Sequence, residues 1–428
     1  TGPYENPEVL VIHSDVPIRS SFLSDHAVLN WLYVATVRSL LSNLHAGVIS
    51  DCPHRERLGY TGDGQLTCDT ALTLLSAAPL YEKWLRDIAD GQDPVTGHIQ
   101  HTAPFYGGGG GPGGWGCAIV TVPYFLWRHT GKRELVDTYF PHMERWVAYM
   151  EAHSENGLVV REEEGGWCLG DWCPPEPITI CEPFVNTALY VKQMMMTKEA
   201  SEAIGESETA AMLEKRIEEK KQAILSAYYS PQTGSFIGDA QGANSFAVDI
   251  GLGGERAFNN TKKKYDAADA FDTGIFGTDI LTRVLFERGC ADTAFHLLTS
   301  TGKGSFYNMK KQGATTIWEN WDGERSHSHP MFGAVTRYLF SFILGITQEK
   351  NSAGYEKIVI APQIPDGLNR ASGHITTVRG EIAVSFVRTE REMDFYVTVP
   401  QKAWFTYGSD CEYELWEGEN HIHIDFEE

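Results

Sequence analysis

The chain has 428 residues, of which 42% are apolar, 21% charged and 11% aromatic. This composition excludes a disordered chain and supports a large core. The length exceeds one ordinary domain, so two or three domains or one large closed architecture are expected. Lysine and arginine number 35 against 57 aspartates and glutamates, a formal net charge of −22; it disfavours nucleic acid and anionic lipid and suits a neutral substrate. No apolar run reaches the ~18 residues of a membrane span. The eight cysteines are too sparse for a disulfide scaffold, and Cys168, Cys173 and Cys181 lack the CxxC spacing of a zinc site.

In chain order, residues 1–17 read as extended. Val9, Leu10, Val11 and Ile12 suggest a short apolar strand ended by Pro17, the expected end of an upstream β domain or linker. Starting at Thr1 with no basic-then-apolar leader, the chain reads as a mature or truncated product. Periplasmic, secreted and cytoplasmic locations all stay open. From Ser24, a plausible N-cap, residues Val28, Leu32, Ala35, Leu40 and Leu44 recur at roughly helical spacing, with Gly47 placed as the residue after the helix end. Further helices are predicted over 67–78, 80–90, 117–130, 134–153, 184–203, 207–228, 242–253, 276–289, 291–300 and 330–345. Without a fixed-period repeat they form either a bundle array or a closed toroid of hairpins. Past residue 351 the period changes to two: Lys357–Pro362, His374–Val378, Glu381–Val387, Asp394–Pro400 and Asn420–Asp425 read as strands of a small antiparallel sandwich. His421 and His423 share a face of the last strand; with no third ligand nearby they read as solvent-facing residues rather than a metal pair.

Four segments have the residue types of a reactive site. Residues 51–63 (DCPHRERLGYTGD) hold Asp51, Glu56 and Asp63 with Arg55, Arg57 and His54. Pro53, Gly59 and Gly62 break any continuous helix, leaving a shaped loop. Crowded carboxylates raise one another's pKa, which keeps a general acid protonated; the alternative is a salt-bridged surface loop. Residues 313–329 place Glu319 and Asp322 beside Trp318 and Trp321, and end at His329. Aromatic faces next to a carboxylate suit a sugar subsite, or else this is an acidic first turn of a helix. Asp171 and Trp172, within 167–175, repeat the pairing more weakly and could be structural. The glycine run Gly107–Gly114, near His101, Tyr106 and Trp115, lacks the Gly-Lys-Ser/Thr ending of a phosphate loop and borders a cleft or is plain flexible loop. GxSxG, HExxH and strand–GxGxxG–helix units are all absent from the sequence.

Taken together these segments resemble the α-L-rhamnosidases of glycoside hydrolase family 78. Residues 51–63 look like the family's DCPxRExxGWTGD signature, Gly313–Glu319 (GATTIWE) like its GATTxWE segment, and Ser326–Gly333 (SHSHPMFG) like its SxNHxxFG segment, in the family's order. The resemblance covers nearly the whole chain. It implies a mainly α (α/α)6 toroid over 18–350, a C-terminal β-sandwich over 351–428, and upstream β-sandwich domains missing from this chain. It also implies an inverting hydrolase that removes terminal α-L-rhamnose without metal or cofactor. On the matching positions Glu56 is the general acid, Glu319 the base that activates water, and Asp51, Asp63 and His329 hold the sugar. Arg55, Tyr60, Asp171, Trp172, Trp318 and Trp321 complete the expected substrate contacts. Three departures are Tyr60 for the motif's tryptophan, Asn320 where arginine is common, and Cys117 where an aspartate often follows Trp115-Gly116. An inverting pair needs about 6.5–9.5 Å for the water, so a Glu56–Glu319 gap above roughly 12 Å would remove the basis of the assignment. The raised pKa of the crowded loop is assigned to Glu56. Two rivals stand beside this expectation. One is a lyase cutting a rhamnose–uronate bond, with His329 or Tyr60 as base and Arg55 and Arg57 neutralising the uronate. The other is a non-catalytic carbohydrate-binding protein.

Overall fold

Helices with two kinds of sequence alternate along most of the chain, and that alternation builds the ring. In the computed structural model, which describes residues 8, 10–107, 110–161, 163, 168–408 and 411–426, the helices are α1 (Ala27–Asn43), α2 (Thr61–Leu66), α3 (Cys68–Leu74), α4 (Ala78–Asp90), α5 (Ala118–Thr130), α6 (Arg133–Ala152), α7 (Glu182–Ile204), α8 (Ser207–Tyr228), α9 (Ala243–Asp249), α10 (Gly254–Asp266), α11 (Ile275–Glu287), α12 (Ala291–Thr299) and α13 (Phe306–Lys311). Helix α7 is buried nearly all round, from Phe184 and Val185 to Ala200 and Ser201. Its neighbour α8 buries one stripe, Ala210, Leu213, Ile217, Lys220 and Ile224. An apolar circumference demands partners on every side, whereas a single stripe suits an outer helix. Residues of α2, α3, α5, α7, α9 and α11 and of the last helical segment line one axial cavity of about 430 Å³. Successive helices from α4 to α8 pack on one another, and α1 closes the ring against α12, α13 and residues 331–337. Thr36 and Thr336 hydroxyls meet at 2.8 Å across that closure. This is the six-hairpin toroid.

Several local expectations change. Leu10, Val11 and Ile12 are exposed and form no strand, since nothing pairs with them among the described residues; Val9 and residues 1–7 lie outside those residues. The first helix ends at Asn43. Gly47, φ 73°, instead turns the small hairpin Leu44–His45/Val48–Ile49. The segment expected as one helix over 330–345 is a 3-10 stretch (Met331–Arg337) followed by a π turn (Leu339–Ile343). Helices α10 and α13, and the helical turn α2, were not expected from periodicity.

The β region packs two sheets. The strands are β1 (Ser20–Ser24), β2 (Ile346–Gln348), β3 (Ile358–Ile360), β4 (Arg370–Thr377), β5 (Gly380–Arg388), β6 (Glu392–Val399), β7 (Ala403–Tyr407), β8 (Cys411–Leu415) and β9 (Gly418–Asp425). One sheet runs β1-β4-β5-β6-β9, antiparallel throughout. The other runs β8-β7-β3-β2 and is mixed, because β7 and β3 pair in parallel. Phe395 of β6 meets Phe405 of β7 at 4.9 Å between ring centres, and Ile382, Val384 and Phe386 of β5 are buried beneath. Strand β1, which precedes the first helix, supplies an edge of the first sheet, and β2 precedes residue 351. These two pairings tie the sheets to both ends of the ring. His421 and His423 are exposed on β9, where both rings contact Asp394 Oδ1 on the adjacent β6, at 2.7 and 2.9 Å.

Candidate active site

Two loops carry the charged residues. The first is pinned by Asp51: its N–H donates to the Leu58 carbonyl at 3.0 Å, and the Leu58 N–H donates back to Asp51 Oδ1 at 3.0 Å. The reciprocal pair closes residues 51–58 and leaves His54, Arg55, Glu56 and Arg57 exposed at its tip. The glycines that follow are there for close packing. A Cβ on Gly59 would strike the Ala103 carbonyl, one on Gly62 the Trp115 indole, and one on Gly64 the Trp84 ring. The motif therefore runs from loop into α2, whose first turn carries buried Asp63. In the second loop the Glu319 N–H donates to the Ser326 carbonyl (2.8 Å) and the His329 N–H to the Ile317 carbonyl (2.9 Å), so the loop doubles back and sets Glu319 beside His329.

The loops meet on one guanidinium. Arg55 Nη2 lies 2.8 Å from Glu56 Oε1 and 3.0 Å from Glu319 Oε2, so the two carboxylates face one another across a single nitrogen. Glu319 is held on every side. Its side chain is 5% exposed and accepts from Ser326 N–H (3.1 Å) and Arg325 Nη1 (3.3 Å) as well as from Arg55. Burial pushes its carboxyl up, but His329, the Ser326 N–H, Arg55 and Arg325 together outweigh that and keep it below the usual glutamate range. Glu56, 36% exposed, sits on the solvent side with the Tyr60 hydroxyl bonded to it.

Behind them Asp63 Oδ1 takes the His329 Nε2 hydrogen at 2.6 Å. Burial works against a charge on His329, yet Asp63, Glu319 and Asp51 raise its pKa above the ordinary imidazole value. His329 Nδ1 has no hydrogen-bond partner and faces Glu319 Oε2 at 3.7 Å. Asp51 is bonded by the Cys52 thiol and takes no further donor on its buried Oδ2. The upward shift expected in this crowd falls on Asp51, driven by burial and then by Asp63. Asp51, Cys52 and His329 bring ligand atoms within 4.8 Å of one another.

Other expected contacts are placed differently. Asp171 is buried at the start of α11, where its oxygens accept from the N–H groups of Gly274 (2.7 Å), Phe276 (2.9 Å) and Gly277 (3.0 Å). Burial, partly offset by those donors, pushes its carboxyl up to about 7. It caps the helix, its two oxygens already taking three backbone N–H groups. Trp321 is core, 2% exposed and packed on Phe271, Phe306 and Phe332. Trp318 is 4% exposed and stacks on His327 at 4.5 Å. Both rings are spent on packing, which sequence spacing does not reveal. Trp172 stays half-buried, with the Arg325 guanidinium 5.2 Å over its ring. Arg325 was missed by the sequence reading. Its signal is an arginine six residues past Glu319, within reach once the loop doubles back. Trp167 and Gly108–Gly109 lie outside the described residues. The axial cavity is not this site: its charges are mutually paired, Arg337 with Asp69 (3.0 Å) and Asp279 (2.8 Å), and Arg283 with Asp249 (2.6 Å).

Comparison with known proteins fixes the lineage. Residues 18–343 match the bacterial alpha-L-rhamnosidase 6 hairpin glycosidase domain, and residues 345–405 the bacterial alpha-L-rhamnosidase C-terminal domain. The chain belongs to the bacterial α-L-rhamnosidase family. It is 27% identical over 418 residues to an alpha-L-rhamnosidase of Alteromonas sp. (strain LOR), covering 91% of this chain and 44% of that protein. It is 29% identical over 391 residues to one from Streptomyces avermitilis, covering 87% and 36%. The chain thus spans less than half the length of these relatives. The structure of Streptomyces avermitilis alpha-L-rhamnosidase complexed with L-rhamnose superposes with a TM-score of 0.87 at 25% identity, covering 96% of this chain and 43% of the other. That of the Aspergillus terreus rhamnosidase shares the fold, with a TM-score of 0.89 at 22% identity, covering 97% and 51%.

Proposed function

We propose that this chain hydrolyses terminal α-L-rhamnosides with inversion, Glu56 protonating the leaving oxygen and Glu319 activating water. The observation that carries the reading is the contrast between the two facing carboxylates. Glu319 is buried, fixed by Ser326, Arg325 and Arg55, and held ionised, as a base must be. Glu56 is on the open side, where an aglycone would leave. Asp51 Oδ2 and the Asp63–His329 pair offer buried polar atoms for sugar hydroxyls, and Tyr60 and half-buried Trp172 offer apolar faces for the C5 methyl. The relative solved with L-rhamnose supports the substrate class. The lyase alternative needs a deprotonated His329 or Tyr60, and both are pushed upward, His329 by Asp63 and Tyr60 by burial and Glu56. The test is proton NMR of an aryl α-L-rhamnoside digest read before mutarotation. Inversion releases β-L-rhamnose first. First release of the α anomer, or an unsaturated product made only from a rhamnosyl-uronate, would overturn the proposal.

A further inference from the structure

Inside the pocket, Asp51, Cys52 and His329 are all buried, with ligand atoms within 4.8 Å of one another. Two of those groups have spare capacity. His329 Nδ1 is buried without a hydrogen-bond partner, Asp51 is bonded by the Cys52 thiol and takes no further donor on Oδ2, and Asp51 and His329 are only 1% and 5% exposed. Buried polar atoms left unsatisfied are costly, so they mark a place built to receive something. A sugar hydroxyl would satisfy Asp51, but a thiol beside a carboxylate and an imidazole is also the donor set of a borderline divalent cation. His329 is already oriented for that, because its Nε2–H is taken by Asp63 at 2.6 Å. A histidine that binds metal through one nitrogen commonly donates the other to a carboxylate.

We infer that Asp51, Cys52 and His329 form an inhibitory zinc site that competes with the sugar for the floor of the pocket. The inference rests on the reading of this pocket as the rhamnoside site. Zinc–sulfur bonds of about 2.3 Å and zinc–nitrogen or zinc–oxygen bonds of about 2.0–2.2 Å fit three donors this close. Binding exchanges the Cys52 thiol proton for the cation and releases it to solvent. Glu319 Oε2, 3.7 Å from His329 Nδ1, lies within reach of the ion. An ion here would therefore occupy Asp51 and hold down the base together.

The experiment uses the full chain stripped with a chelator, with Co²⁺ and Zn²⁺ chlorides as probes, beside the variant Cys52→Ser. Cys52 Sγ accepts from the Glu56 N–H at 3.4 Å, so zinc inhibition of Cys52→Ser is read against that variant's own metal-free rate. The wild type should show a thiolate-to-cobalt charge-transfer band that is lost in Cys52→Ser and weakened by added L-rhamnose. Zinc should raise the apparent KM for the aryl rhamnoside with little change in kcat, and its inhibition constant should rise at least about tenfold in Cys52→Ser. A cobalt spectrum without a thiolate band, or zinc inhibition unchanged in Cys52→Ser, overturns the inference. If Cys52→Ser does not fold, the wild-type band and its displacement by L-rhamnose decide alone. A thiolate band in a chain that cleaves no rhamnoside would sink the rhamnosidase reading and leave the metal site standing.

Discussion

Replacing Arg325 by methionine should move the acidic limb of the pH profile upward. In the proposed reaction Glu319 works only when ionised, so activity falls as pH drops through its pKa. Arg325 Nη1 lies 3.3 Å from Glu319 Oε1 and is one of the groups that hold that pKa down. Removing the cation favours the protonated form and raises the pKa, so the limb must shift to higher pH. The Arg325 side chain is 43% exposed, which screens the pair. Such pairs contribute about 0.2–1 kcal/mol, and one pKa unit corresponds to about 1.36 kcal/mol, so the shift should be about 0.2–0.7 unit. Arg325→Lys retains the charge and should shift less. High salt should shrink the difference between wild type and Arg325→Met. The assay is kcat/KM for p-nitrophenyl α-L-rhamnoside across pH with a chelator present, because that ratio reports the free enzyme's groups. An unmoved limb, or one moved to lower pH, would refute Glu319 as the titrating base. A large loss of rate with no shift would instead make Arg325 a substrate contact.

Two other outcomes follow from the same geometry. Glu319→Gln should cost about 10²–10⁴-fold on every rhamnoside, whereas Glu56→Gln should cost that much only with poor leaving groups and much less with activated aryl ones; equal, mild losses would show that the carboxylates were misassigned. Asp171→Ala should destabilise the fold by about 1–3 kcal/mol in denaturant melts, because it orphans the buried N–H groups of Gly274, Phe276 and Gly277. The folded Asp171 carboxyl titrates near 7, above its unfolded value of about 3.8. The folded state therefore holds this proton more tightly, and its contribution to stability falls as pH rises from about 4 to 7. The variant should lack that slope, and an unchanged slope would assign it to other groups.

Much of the ring was legible because outer helices keep one apolar stripe and inner helices are long, largely apolar runs without strand breakers. Residues 207–228 were predicted as a helix and are one, and 184–203 extends only to Glu182–Ile204. What failed has identifiable causes. Gly62 signalled a break, but it serves the approach of Trp115 and sits inside α2, as Gly64 does beneath Trp84. Helix α10 opens on Gly253 and Gly254, both at positive φ, and its buried stripe holds only Ala257, Phe258, Thr261 and Tyr265 in an otherwise polar sequence, too few apolar residues to mark a helix. The motif residues Asp51, Arg55, Glu56, Asp63, Glu319 and His329 come together in the fold, as the motifs' order implied. They could not show that Trp318 and Trp321 are spent on packing, that Asp171 caps a helix, or that Arg325 folds back onto Glu319. Each of those depends on a partner distant in sequence. The same limit hid Asp394 from His421 and His423, since it lies on a neighbouring strand.

The resting geometry also bears on how inversion would be achieved. Glu56 Oε1 and Glu319 Oε2 both touch Arg55 Nη2, so these oxygens are closer than the two contacts laid end to end, 2.8 and 3.0 Å. That is short of the about 6.5–9.5 Å separation an inverting pair keeps for its water. In the proposed reaction the pair opens when sugar and water enter, and the two sides are unequally free to move. Glu319 is fixed by a backbone N–H and by a loop that doubles back on itself. Arg55 and Glu56 sit on the exposed tip of a loop closed at its base by Asp51 and Leu58, with the Glu56 N–H on Cys52 Sγ at 3.4 Å. In the proposed reaction the guanidinium yields its place to the sugar, and Glu56 retreats with it while the base stays put. The distance that decides the stereochemistry is then set on the acid's side. Substitutions that stiffen residues 54–57 should affect turnover more than substitutions that merely weaken sugar binding.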